Sequence, residues 1–157
     1  MPHNLSILVY QGVPVDFSKY RHTALYADWG EEHEWLHVVG GHPFFAFQKN
    51  DQNPISEEPI AKIPVCSIPE SISRSRIHVA CVSTPVRNGD EFRDWNCQNW
   101  VGEALAELVV IGCVTGLERE VAIGKMVEVI LEAELEDVSL NSWVEVGDDA
   151  NGWDFGL

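Results

Sequence analysis

The chain has 157 residues and a formal charge of −15, from 25 acids against 10 Lys and Arg. Such a surface repels phosphate backbones and anionic bilayers, which excludes nucleic acid and acidic membrane surfaces as partners. Its length, with hydrophobic residues at 45%, suits one domain with a real core. Leu5–Tyr10 (LSILVY) is an aliphatic run stopped by Gly12 and Pro14, and predicts a first strand. Val13–Tyr20 reads as a loop. Arg21–Asp28 (RHTALYAD) and Glu34–Val39 (EWLHVV) read as two strands of a hairpin, joined by a polar turn over residues 31–34. Phe44–Gln48 (FFAFQ) continues the same meander as a third strand.

Residues 49–73 hold Pro54, Pro59, Pro64 and Pro69. This stretch predicts a long connection, lid-like or mobile, with a strand near Ile60–Cys66. Arg76–Ser83 (RIHVACVS) is β-branched and reads as a strand, with His78 turned away from the core. A helix follows from Cys97 to about Gly112. Leu117–Glu136 predicts a second helix, with an apolar stripe of Val121, Met126, Val127, Ile130, Leu131 and Leu135. Residues 1–136 are thus expected to form one α+β domain. Residues 137–157 form an acidic segment whose Trp143, Trp153 and Phe155 pack on the domain or on a partner, with a homodimer left open. The start of the chain lacks a basic, apolar leader, and no run reaches membrane-spanning length, which predicts a cytoplasmic address. In a reducing compartment Cys66, Cys81, Cys97 and Cys113 stay free thiols, and none pair as CxxC.

The chemistry centres on Asp94-Trp95-Asn96-Cys97-Gln98-Asn99-Trp100-Val101. Asp94 and Asn96 are good helix caps. After Cys97 the apolar residues Trp100, Val101, Ala104, Leu105 and Leu108 follow at helical offsets, so Cys97 shares the core face but at its open end. The free N–H groups and positive dipole end there favour a thiolate. Cys97 reads either as a nucleophile or as a small buried hydrophobe. A nucleophile needs a base, and His22 and His37 fall on neighbouring strands, whereas His3, His33 and His42 fall near a terminus or turns. Trp35, Trp95, Trp100 and Phe44–Phe47 are candidates to line an apolar pocket, and Tyr20 or Gln11 to donate a second oxyanion hydrogen bond.

The arrangement RHTALYAD, then EWLHVVGG, then NCQNWVGEAL resembles the permuted papain-like proteins of the NlpC-type superfamily. In style it is closest to the lecithin:retinol acyltransferase branch. That branch carries a strand H-W-A-x-Y-x-G, a second strand with another His, and a helix opening on N-C-E-H-F. His22 with Ala24 and Tyr26 matches the first motif, His37 the second, and Cys97 after Asn96 the third. The resemblance covers Tyr20–Gly41 and Asp94–Leu108. Thr23 stands where the branch has Trp, and Gln98-Asn99-Trp100 where it has Glu-His-Phe. The resemblance implies an antiparallel sheet packed on the Cys-bearing helix. It also implies a thiol hydrolase or acyltransferase acting on an amide, ester or thioester of a small molecule or peptide. Cys97 would be the nucleophile, His22 the base and His37 its orienter, with Tyr20, Trp35, Trp95 and Trp100 at the substrate. Neither a metal nor a cofactor is expected, since no ligand spacing or phosphate loop is present. The alternative on the same residues is a non-hydrolytic binding or cyclising protein with an aromatic pocket.

Overall fold

The computed structural model describes residues 3–13 and 15–141, with side chains described as far as Ala133. Five strands, β1 (Asn4–Val9), β2 (Thr23–Asp28), β3 (His33–Val39), β4 (Ala46–Asn50) and β5 (Ala61–Ser67), form one sheet in the order β4-β3-β2-β1-β5. Every neighbouring pair is antiparallel. Three helices complete the α+β fold: α1 (Arg74–Ser83), α2 (Cys97–Val110) and α3 (Gly116–Asn141). The meander follows from short turns at Gly30 and Gly40. Gly40 has φ 93°, and a Cβ there would lie 2.8 Å from the Phe44 carbonyl oxygen, so only glycine fits this corner.

Strand alternation decides what each face does. Leu5, Ile7, Val9, Leu25, Ala27, Leu36, Val38 and Ile63 point to one side and join the core with Trp100, Val101, Ala104, Leu105 and Leu108 of α2. Arg21 and Thr23 share that parity: the Arg21 guanidinium donates to the Val129 carbonyl of α3 at 2.6 Å. Tyr10, His22, Tyr26, Trp35 and His37 have the opposite parity and share the other face, where their rings meet.

Four expectations are corrected. The segment expected as a strand over Arg76–Ser83 is helix α1. Its Ser73 side chain caps the helix by accepting from the Arg76 N–H, and Ile77, Ala80 and Cys81 recur at helical spacing on the buried side. Burial of one face against α2 outweighs β-branched composition. The third strand begins later than Phe44, which is 81% exposed, and runs over Ala46–Asn50. His33 is not a turn residue but opens β3, opposite Asp28. On α3 the buried line is Ala122, Met126, Ile130 and Ala133, while Val121 and Val127 are exposed. The Leu135 side chain and residues 142–157 lie outside the described residues. The helix itself continues past 136, to Asn141. Among the described residues no helix is long and apolar enough to cross a membrane.

Candidate functional site

Cys97 opens α2 as expected. Asn96 Oδ1 accepts from the Gln98 N–H at 2.9 Å, and Asn99 Oδ1 accepts from the Asn96 N–H at 3.0 Å, which closes a capping box around the cysteine. The cap engages the N–H groups of Gln98 and Asn96 and not that of Cys97. Gln98 staples this end to the sheet by donating from Nε2 to the Ser18 and Arg21 carbonyls, at 2.7 and 3.0 Å. The Cys97 Sγ lies 4.0 Å from the Arg21 carbonyl oxygen and also against Thr23. The thiol therefore touches the backbone on both sides of His22. It fits there because β2 pairs with β3 only from Leu25 opposite Leu36 onward, so the two strands are unbridged where the thiol enters.

The two histidines meet. His22 Nε2 and His37 Nδ1 are 2.7 Å apart, and His37 Nε2 is 2.8 Å from Asn50 Oδ1. Asn50 Oδ1 can only accept, so His37 carries its proton on Nε2 and accepts on Nδ1. His22 then donates from Nε2, which leaves its Nδ1 with the free lone pair. The result is a directed relay, Asn50–His37–His22, with its basic end on His22. Burial, then the neighbouring His37, lowers the His22 pKa from 6.5 to about 4. Burial also lowers that of His37, against the raising effect of hydrogen bonds with Asn50 and Gln48. Both rings are neutral at pH 7, so His22 is available as a base.

The sulfur and the relay are neighbours across the 21–23 backbone. Among the described residues no hydrogen bond joins Cys97 to either histidine. Alternation turns the imidazoles to the face away from α2, where His37 is fully buried, while the thiol enters from the helix side. Burial raises the Cys97 pKa against the lowering effect of the Thr23 backbone, so the resting sulfur is a thiol and not the thiolate the helix dipole alone suggests.

The expected substrate residues divide. Trp35 does line a cleft, of about 340 Å³, on the imidazole face, together with Leu8, Tyr10, Tyr26, Asn53, Glu58, Pro59 and Lys62. Tyr10 anchors it: its hydroxyl accepts from Trp35 Nε1 at 3.1 Å and donates to Asn53 Oδ1 at 2.9 Å. Asn53 belongs to the proline-containing connection, which thus lies over this face. Tyr10 and His22 are in ring contact, with centroids 6.0 Å apart. Trp100 and Trp95 are not in the cleft. Trp100 is fully buried against Phe47, and Trp95 is buried against Phe45 and bonded to Glu103, so both are core. Tyr20 stacks on Phe17 in a one-turn helix, Ser18–Tyr20, beside the mouth of α2 and away from the cleft.

A second polar centre escaped the sequence reading. Glu34, 3% exposed, accepts from Trp29 Nε1 at 2.7 Å and meets His78 Nε2 at 2.7 Å and Arg74 at 3.1 Å. Burial raises its pKa, but hydrogen bonds from His78, Arg74 and Trp29 outweigh that and hold it at about 2. One signal was available. Glu34 has the same parity as Leu36 and Val38, and a carboxylate on the buried side of a strand needs partners. His78, read as strand surface, is one of them.

No curated protein and no solved structure matches the chain. Residues 9–115 match a family described as "Family of unknown function (DUF6540)", a span that holds His22, His37, Asn50 and Cys97 and ends before α3. The chain belongs to this DUF6540 family.

Proposed function

We propose that the protein is a cysteine-dependent hydrolase or acyltransferase of papain-like type. One observation carries this reading: the Asn50–His37–His22 relay, at 2.8 and 2.7 Å, ends on the residue whose flanking backbone, at Arg21 and Thr23, the Cys97 thiol touches from the helix side. A nucleophile, a base and an orienter of the base are the parts a thioester mechanism needs.

The Cys97 thiol and the His22 ring start on opposite sides of the 21–23 backbone, so the reaction requires this segment to shift as the acyl group binds and brings the two together. His22 Nδ1 takes the thiol proton, and Sγ bonds to the acyl carbon. His37 holds the imidazole by Nε2 and shares the charge that develops. The Cys97 N–H, left out of the cap, donates to the oxyanion. The leaving group takes the proton back from His22, and water or an acceptor nucleophile then cleaves the thioester. The aromatic cleft of Tyr10, Tyr26 and Trp35 adjoins the relay and suits the body of a small molecule or a peptide side chain.

The rival reading is a binding module using the same cleft, favoured by the burial of the Cys97 thiol, which is 8% exposed. Mass spectrometry of the intact protein after incubation with a panel of activated acyl esters separates the two. The enzyme reading expects one acyl adduct, on the peptide carrying Cys97, and none in Cys97→Ser. A binding module expects affinity for a ligand without any adduct, equal in both proteins.

A further inference from the structure

At the far end of α2 from Cys97 two other cysteines face each other. Cys66 lies on β5, an edge strand paired only with β1, and is partly exposed. Cys113 sits in the turn between α2 and α3. That turn is fixed: Gly112 has φ 84°, and the Cys113 and Val114 N–H groups both return to the Leu108 carbonyl, at 2.9 and 3.3 Å. The Cys66 thiol donates to the Cys113 carbonyl oxygen at 3.6 Å, which sets it against the residue that carries the second thiol. A thiol already seated on the backbone of the other cysteine, on two packed elements, needs little movement to bond its sulfur.

We propose that Cys66 and Cys113 are an oxidisable dithiol that closes into a reversible disulfide when the protein meets a hydroperoxide. The neighbouring Cys66 lowers the Cys113 pKa while Cys113 raises that of Cys66, so the step starts at Cys113. The Cys113 thiolate bonds to one peroxide oxygen, the O–O bond breaks, and the departing hydroxide takes a proton to become water. Cys113 is then a sulfenic acid. Cys66 attacks its sulfur, the S–O bond breaks as the S–S bond forms, and a second water leaves with the Cys66 proton. Two electrons pass from the two thiols to the peroxide, and nothing else is consumed. Cys113 is 3% exposed, so the peroxide has to enter beside the partly exposed Cys66. Cys81, on α1 close by, has its pKa pushed up to about 12 by burial and stays reduced.

The bridge ties the edge strand to the turn that fixes the C-terminal end of α2. Crosslinking residues 66 and 113 closes a long loop and is expected to raise Tm by about 10 °C. The test is titration of the intact chain with hydrogen peroxide, followed by alkylation of remaining thiols, intact mass, peptide mapping and a thermal melt. The expected result is loss of two hydrogens, one crosslinked pair of peptides carrying Cys66 and Cys113, and the rise in Tm. Dithiothreitol reverses all of it, and both effects are absent in Cys66→Ser and in Cys66→Ala. Sulfinic or sulfonic acid building up on Cys66 or Cys113 without a crosslink overturns the proposal. So does a crosslink to Cys81 or Cys97, or a bridge that leaves Tm unchanged.

Discussion

His22→Ala slows acylation of Cys97 by about 10²–10⁴-fold, the usual worth of a positioned general base. The reason lies in the resting state of the sulfur. Burial keeps Cys97 protonated, so the reaction needs a base at the moment of attack rather than a thiolate formed beforehand. His22, with a pKa of about 4, is neutral and ready over the physiological range. His37→Ala is expected to cost less, about 10-fold to 100-fold, because it removes the group that orients the base and fixes its tautomer. His37→Gln, which can still accept from His22 Nε2, recovers part of that loss, whereas a purely structural role for His37 gives no such rescue. Single-turnover kinetics with an activated ester read these effects without product release. Circular dichroism of each variant confirms that the sheet is intact.

Glu34→Ala lowers the unfolding free energy by about 3 kcal/mol at neutral pH, read from urea denaturation. The carboxylate is almost fully buried, accepts from Trp29, meets His78 and pairs with Arg74 and Lys49, so its loss strands the Trp29 ring N–H and leaves Arg74 and Lys49 without this partner. The figure is kept below the full worth of the pKa shift because Arg74 and Lys49 are 37% and 47% exposed and water screens them. The pH dependence has a definite sign. The folded pKa is depressed from 4.5 to about 2, so the stabilisation is complete above pH 4.5 and is lost as pH falls through about 2. The gap between wild type and variant therefore shrinks by about half or more on going from about pH 7 to about pH 3. A constant gap over that range would mean that packing, not charge, accounts for the loss.

Much of the architecture was readable from local pattern. The runs LSILVY, RHTALYAD and EWLHVV mark the strands found over Asn4–Val9, Thr23–Asp28 and His33–Val39, with Tyr10, Arg21 and His22 just outside them, and the strand expected near Ile60–Cys66 is β5. Of the two caps the sequence offers, Asp94 and Asn96, the structure uses Asn96, and the apolar residues at helical offsets do form the buried face of α2. The α1 segment was misread because its valines and isoleucine favour a strand in isolation. Its capping Ser73 and its packing on α2 decide otherwise, and packing partners distant in sequence do not appear in a local window. Trp100 carried its own answer: the stripe that made α2 a helix also put Trp100 inside, where a ligand cannot reach it. That His22 and His37 come close was readable from the hairpin, although His22 lies one residue before β2. The face they occupy was not, because that depends on the pairing register, and a shift of one residue exchanges the faces. Tyr10 and Asn53, which shape the cleft, were missed because one lies at a strand end and the other in an irregular loop, and only the fold brings them together.

The pH dependence of Cys97 acylation, measured in wild type and in His22→Ala, tests the central claim most directly. If His22 serves Cys97, the wild-type rate rises through an acid limb near the His22 pKa of about 4 and is level toward neutral pH. His22→Ala loses that plateau. A rate that climbs about tenfold per pH unit through neutrality in both proteins, as for an unassisted buried thiol, would contradict the account.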